Sequence, residues 1–158
     1  MVRSNKGFTL VELMVVIVIM GVLAVLAIPK LTDVITKAKI SEIPIVLGSW
    51  DHAQLAYIAE KGECAASTND LAFEDPSNDS KWFDYRDASG NSQSSATYES
   101  YVKDSKKVGN FNGGDKGPYT TTSSDGKVTH TAEGNWKKYV PSFEGTTGGT
   151  GGTGETGE

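Results

Sequence analysis

The chain carries one stretch that most constrains its fold. "KGFTLVELMVVIVIMGVLAVLAIPKL" holds an unbroken apolar run over residues 8–28, with Thr9 and Glu12 as its polar members. Those 21 residues make about 31 Å of α-helix at about 1.5 Å per residue. A bilayer core of about 30 Å needs about 20 such residues. The run is therefore a candidate single membrane span. Arg3 and Lys6 precede it, so the charge bias puts the N-terminus in the cytoplasm and the rest of the chain outside. A secretory signal would have a shorter apolar region ending at a small-residue cleavage site. Here the run continues into "LAIPKL" with no convincing site.

Past Pro29 the helical period persists. Leu31, Val34, Ile35, Ala38, Ile43, Val46, Leu47, Trp50, Ala53, Tyr57 and Ile58 recur at threes and fours, and Asp33, Glu42, Asp51 and Glu60 fall mostly between them. This spacing predicts an amphipathic helix with one face for a core and one for water, stopping at Gly62. Pro29 and Pro44 would free the carbonyls of Val25 and Ile40, and each is expected to kink or open the helix. A helix from residue 8 to about 61 would run about 80 Å. The remaining residues are too few to bury it.

From Glu63 the composition changes. "ASTNDLAFEDPSNDSKWFDYRDASGNSQSS" reads as a long loop anchored by Phe73, Trp82, Phe83 and Tyr85. "ATYESYVK" has strand character, and two Thr- and Val-containing runs flank Asp125-Gly126, a hairpin turn signal. "WKKYVPSF" is a candidate last strand. The tail "EGTTGGTGGTGETGE" has seven glycines in fifteen residues and is expected to be disordered.

Taken together the fold class is α+β. A long N-terminal helix has an apolar, protruding lower half, and its upper half packs on a small antiparallel sheet. The expected organisation is a short basic segment at 1–7, an apolar transmembrane helix at 8–31, an amphipathic helix at 32–61, a head of loop and sheet at 62–143, and the tail at 144–158.

Chemistry narrows the function classes. Lys and Arg number 15 against 20 Asp and Glu, a formal charge of −5, which disfavours nucleic acid as a partner. The lone Cys64 rules out an intramolecular disulfide. His52, His130 and Cys64 show no metal-ligand spacing. "DPSNDS", Asp104, Asp115 and Asp125 could supply oxygen ligands to calcium but lack the spacing of a calcium loop, so solvated carboxylates are the simpler reading. "GGTGGTG" lacks the Lys-Ser/Thr end of a phosphate loop. No nucleophile–base–acid arrangement is visible, and no cofactor is expected.

The combination of a short basic leader, Gly7, Phe8, Glu12 at the fifth place after the glycine, and a long apolar run with Pro29 at its end resembles the N-terminus of type IV prepilins and of the pseudopilins of type II secretion. The resemblance implies cleavage between Gly7 and Phe8 by a prepilin peptidase, N-methylation of Phe8, Glu12 as the assembly carboxylate, and a helix kink at Pro29. It implies a filament subunit, held in the inner membrane before assembly with its head in the periplasm. Its partners would be copies of itself, minor pilins or pseudopilins, and the assembly machinery. Many heads of this kind close their C-terminal loop with a disulfide; this chain cannot, which leaves the pinning of its last strand open. A membrane-anchored binding module is the alternative of another class, with Trp82, Phe83 and Tyr85 as candidate contacts.

Overall fold

The structure is a computed structural model and describes residues 7–148. The leader residues 1–6 and the tail residues 149–158 lie outside the described residues. The chain divides into two units, one ending at Thr36 and the other beginning at Lys37. Two helices, α1 (Leu10–Ile40) and α2 (Glu42–Lys61), are separated by a turn at Ser41. The interruption falls at the carbonyl that Pro44 cannot bond, that of Ile40. Pro29 stands inside α1 without ending it, and Thr32 Oγ1 donates to the Pro29 carbonyl at 2.8 Å. Gly62 closes α2 in the left-handed region (φ 78°), with its N–H on the Ile58 carbonyl at 2.8 Å.

In the first unit every described side chain from Phe8 to Ile35 is exposed. Leu31, Val34 and Ile35, read from sequence as part of the core stripe, are among them. Thr36 is the first buried side chain, and the stripe that follows is Ile40, Ile43, Leu47, Trp50 and Gln54. These steps of three and four put one face of α2 against a sheet.

That sheet is antiparallel. Its strands are β1 (Phe83–Asp87), β2 (Ser95–Val102), β5 (Lys116–Ser123), β6 (Val128–Thr131) and β7 (Glu144–Gly148), in the spatial order β1-β2-β5-β6-β7. A separate short hairpin joins β3 (Lys107–Val108) to β4 (Phe111–Asn112). In β2 burial alternates strictly: Ala96, Tyr98, Ser100 and Val102 face the helix, and Ser95, Thr97, Glu99 and Tyr101 face away. The hairpin at Asp125-Gly126 joins β5 to β6, with Thr122 opposite Val128 and Gly126 at φ 81°.

Three expectations are corrected. The stretch read as a long loop contains β1, because Phe83 and Tyr85 alternate inward between Asp84 and Arg86. "WKKYVPSF" forms two short 3-10 helices, Gly134–Lys138 and Pro141–Phe143, rather than a strand. Trp136, Val140 and Phe143 are buried at helical spacing. The last strand begins where the disordered tail was expected: β7 extends the sheet along β6, with Thr147 opposite Thr129 and Glu144 opposite Thr131. A backbone ladder needs no bulky side chain, so a Gly- and Thr-rich segment can complete an open edge.

The core is aromatic. The Trp50 ring stacks on Tyr98 at 5.3 Å, Tyr98 on Tyr85 at 6.2 Å, and Phe73 meets Tyr98 edge-on at 5.6 Å. Trp50 Nε1 donates to Thr68 Oγ1 at 3.0 Å, which satisfies the polar end of a buried indole. Asp51, placed by periodicity among the water-facing residues, is only 5% exposed. It faces the hydroxyl-bearing inner side of the sheet: Thr120 Oγ1 donates to its Oδ1 at 2.6 Å, and His130 Nε2 lies 2.7 Å from its Oδ2. Gln54 imitates a strand neighbour for Ala65, donating to its carbonyl at 2.9 Å and accepting its N–H at 3.0 Å. Cys64 is buried with Sγ 3.4 Å from the Thr122 carbonyl, and burial pushes its thiol up.

The outer edge of β1 is closed by a side chain. Ser77 Oγ accepts the Tyr85 N–H at 2.8 Å, and its own proton serves Asp75 Oδ1 at 2.6 Å or the Tyr85 carbonyl at 3.1 Å. Lys103 Nζ fixes that loop through the Ser77 and Ser80 carbonyls, both at 2.6 Å.

Candidate functional site

The site predicted from sequence lies at the start of α1. Thr9 precedes the helix, and three bonds tie it to Glu12. Thr9 N–H and Thr9 Oγ1 donate to Glu12 Oε2 at 2.9 and 2.8 Å, and Glu12 N–H donates to Thr9 Oγ1 at 3.2 Å. This is a capping box, in which a Thr and a Glu three residues on satisfy each other's backbone donors at a helix start. A carboxylate in the first turn also meets the positive end of the helix dipole. The signal was legible as "TLVE", the Thr-x-x-Glu pattern ahead of an apolar run, and the sequence reading passed over it.

The capping box changes what Glu12 is. Read from sequence, it is a charge awaiting a partner. In the structure it already has local work, and all of that work falls on Oε2. Among the described residues Oε1 carries no hydrogen bond, so it is the oxygen with capacity for a second donor.

The other residues singled out here are Gly7, Phe8, Pro29 and Pro44. Gly7 and Phe8 are exposed, Phe8 at 81%, immediately ahead of the capping box. Behind it α1 presents apolar side chains on all sides. Val11, Met14, Val15, Val18 and Ile19 line one shallow apolar groove of about 300 Å³. The helix is long and apolar enough to cross a membrane, and none of its most apolar window is buried. Each such side chain removed from water is worth about 1.5–3 kcal/mol, so the segment as a whole stands to gain tens of kcal/mol from lipid or from neighbours. Pro29 and Pro44 lie far along the chain from Glu12 and take no part in its geometry.

The alternative contacts divide. Phe83 and Tyr85 are core, 0% and 3% exposed, and the Tyr85 hydroxyl donates to Glu42 Oε1 at 3.0 Å. Burial and the Glu42 charge push that phenol far up. Trp82 is half-buried and carries Lys39 Nζ 3.5 Å from its ring centroid, a cation–π contact. The three aromatics therefore do not form one exposed surface. Three of the loop carboxylates considered for calcium serve as turn caps. Asp75 accepts Ser77 N–H at 2.8 Å, Asp115 accepts Asn112 N–H at 2.7 Å, and Asp125 accepts Lys127 N–H at 3.1 Å. Among the described residues no group of three His, Cys, Asp or Glu side chains is placed to hold a metal ion.

Comparison with known proteins points the same way for the N-terminal part. Residues 2–28 match the prokaryotic N-terminal methylation motif. The fimbrial protein of Moraxella nonliquefaciens is 39% identical over 70 residues, 44% of this chain and 45% of that protein. The type IV major pilin protein PilA of Myxococcus xanthus is 38% identical over 69 residues, 44% of this chain and 31% of that protein. The type IV major pilin protein PilE1 of Neisseria gonorrhoeae is 34% identical over 77 residues, 49% of this chain and 47% of that protein. The chain spans less than half the length of these relatives. No solved structure matches it significantly. The chain resembles type IV pilins, and the relatives it matches are structural proteins rather than enzymes.

Proposed function

We propose that this chain is a structural subunit of a type IV pilus or a pilus-like filament. It is inserted in the inner membrane as a single-span precursor with its N-terminus in the cytoplasm. A prepilin peptidase cuts between Gly7 and Phe8, Phe8 is N-methylated, and the apolar helices then bundle in a fibre with the acidic heads outside. The carrying observation is an apolar helical stretch, exposed from Phe8 to Ile35, whose first turn holds a carboxylate. Cleavage would create a Phe8 amine, and an α-amino group of pKa about 7.7–8 is largely protonated near neutrality. That amine on one subunit can pair with Glu12 Oε1 of a neighbour while Oε2 keeps the helix start. In a water-excluded bundle an unpaired carboxylate is penalised, so the pair favours docking in one register. The names of the relatives favour a pilus over a secretion pseudopilus.

Two measurements test this. Mass analysis of the protein from its native membrane should find a chain beginning at N-methylated Phe8; an unprocessed start removes the processing claim. Glu12→Gln keeps a side chain that serves a capping box but removes the charge. Sheared surface fibres should contain at least about tenfold less of this variant, the equivalent of about 1.4 kcal/mol. Wild-type incorporation would reduce Glu12 to a helix cap. Loss of secretion with surface fibres intact would reassign the chain to a secretion pseudopilus.

A further inference from the structure

The second unit is electrically polarised along its sheet. One end is formed by the start of β1 and the end of β2, where Phe83 pairs with Val102. Lys81 and Trp82 lead into that end, and Lys106 and Lys107 lead from it into the β3–β4 hairpin. The 3-10 helix carrying Lys137 and Lys138 is fixed beside them, because its Trp136 stacks on Phe111 at 3.6 Å and meets Phe83 at 6.5 Å. Lys39 lies 3.5 Å from the Trp82 ring centroid. Six lysines thus gather at one end; Lys39 is half-buried and the other five are exposed.

Asp79, Asp104, Asp115 and Glu133 share that end, and the lysines outnumber them. Asp115 is turned to the Asn112 N–H and Glu133 to the Tyr119 hydroxyl, while Lys103 and Asp84 offset each other at 3.7 Å. Among the described residues Lys106, Lys107 and Lys137 enter no ion pair. The opposite end of the sheet has the other sign, with Glu60, Glu63, Asp70, Asp87 and Asp125 against Lys61 and Lys127. In a chain of net charge −5, a lysine-rich end runs against the general balance.

This is also the end at which the chain enters the head, since the second unit begins at Lys37 and Lys39 meets Trp82. Ile28, the last residue of the apolar run, stands nine residues earlier, so even a fully extended link holds Lys37 within about 30 Å of it. We propose that the lysine-rich end of the head docks on anionic phospholipid headgroups before assembly, which rests on residues 8–28 spanning the bilayer as proposed above. Lysines beside an anionic surface are attracted within a screening length of about 10 Å, and an amphipathic Trp ring suits the headgroup layer. The tether does the rest: an attraction too weak to capture a free protein acts at high local concentration. The acidic end of a second copy has the same charge as the lipid but is not tethered there, which favours the lipid.

The test uses the full chain in vesicles of phosphatidylcholine alone or of phosphatidylcholine with phosphatidylglycerol in a two-to-one mixture. Exposed lysines are acylated with a neutral, water-soluble reagent, and each site is followed by mass spectrometry. With phosphatidylglycerol present, Lys81, Lys106, Lys107 and Lys137 should react at least about threefold more slowly, and exposed Lys127 at the other end should not change. The protection should vanish at about 1 M salt, where the screening length falls to about 3 Å. The exposed pair Lys106→Gln and Lys107→Gln should release Lys81 and Lys137 without lowering the melting temperature. Flotation with the vesicles but equal rates in both lipids overturns the docking and leaves the membrane span standing. Failure to float with either vesicle removes the span, and the docking with it. Equal slowing of Lys127 overturns the assignment to one end of the head. Protection that needs no phosphatidylglycerol and grows with protein per vesicle gives this end to a second copy and overturns the lipid assignment.

Discussion

The two units of this chain spend their polar groups differently. In the first, apolar side chains are exposed along the whole described length up to Ile35, and the polar contacts near its start are those of Thr9 and Glu12. In the second, apolar side chains are buried and polar ones are built into the packing: Asp51 with Thr120 and His130, Gln54 with Ala65, Trp50 with Thr68. A helix that gains nothing from its own fold is indifferent to most single changes until it meets lipid or a neighbour. A small head with polar joints depends on each of them.

That contrast can be broken by substitution, read as thermal unfolding of the head. Trp50→Ala should cost about 3–5 kcal/mol, since it removes the largest fully buried side chain and its stacking on Tyr98. Asp51→Ala should cost about 2–4 kcal/mol, because the Thr120 hydroxyl and His130 lose their acceptor inside the sheet. A cost near zero there would mean that the network is incidental to the packing of α2.

Smaller and pH-dependent is the pair on the outer face, Glu99 with Lys116. Burial alone would raise the Glu99 carboxyl, but hydrogen bonds from Lys116 and Tyr101 outweigh it and leave the carboxyl below its ordinary value. A depressed folded-state value means that the contribution is complete above the unfolded-state value of about 4.5 and is lost as pH falls through the folded value. With the Lys116 side chain 45% exposed, the contribution is about 0.5–1 kcal/mol. Glu99→Gln should therefore lower stability at pH 7 and make little difference near pH 3. Equal losses at both would assign the effect to hydrogen bonding rather than to charge. Smallest of all, Leu23→Ala should leave head unfolding unchanged within about 0.5 kcal/mol, because Leu23 is 60% exposed and packs on no core.

Sequence made some of these elements legible and hid others for identifiable reasons. The apolar helix could be read because its composition admits few folds. The β5–β6 hairpin could be read because Asp125-Gly126 announces its turn. β1 was hidden because "FDYRD" alternates aromatic and charged residues inside a stretch dense in turn formers. β7 was hidden because its pairing is a property of the β6 backbone beside it rather than of its own side chains. Asp51 defeated periodicity for a similar reason: a buried carboxylate is acceptable only where threonines and a histidine from distant strands meet it. The capping box is a different kind of miss, since both of its residues stood in plain view and the motif was local.

The structure also answers what holds the last described strand, β7, without a disulfide. Backbone pairing to β6 and the buried Trp136, Val140 and Phe143 anchor it, while the buried Cys64 lies against Thr122 of β5.

Ser77 gives the head a further property. An open strand edge is adhesive, because any extended peptide can add to its row of unpaired groups. At Tyr85 one serine hydroxyl occupies the place that a sixth strand would take. In the filament proposed above, heads crowded side by side would have one less way to zip together out of register. Their order would then be dictated by the helices that bring them there.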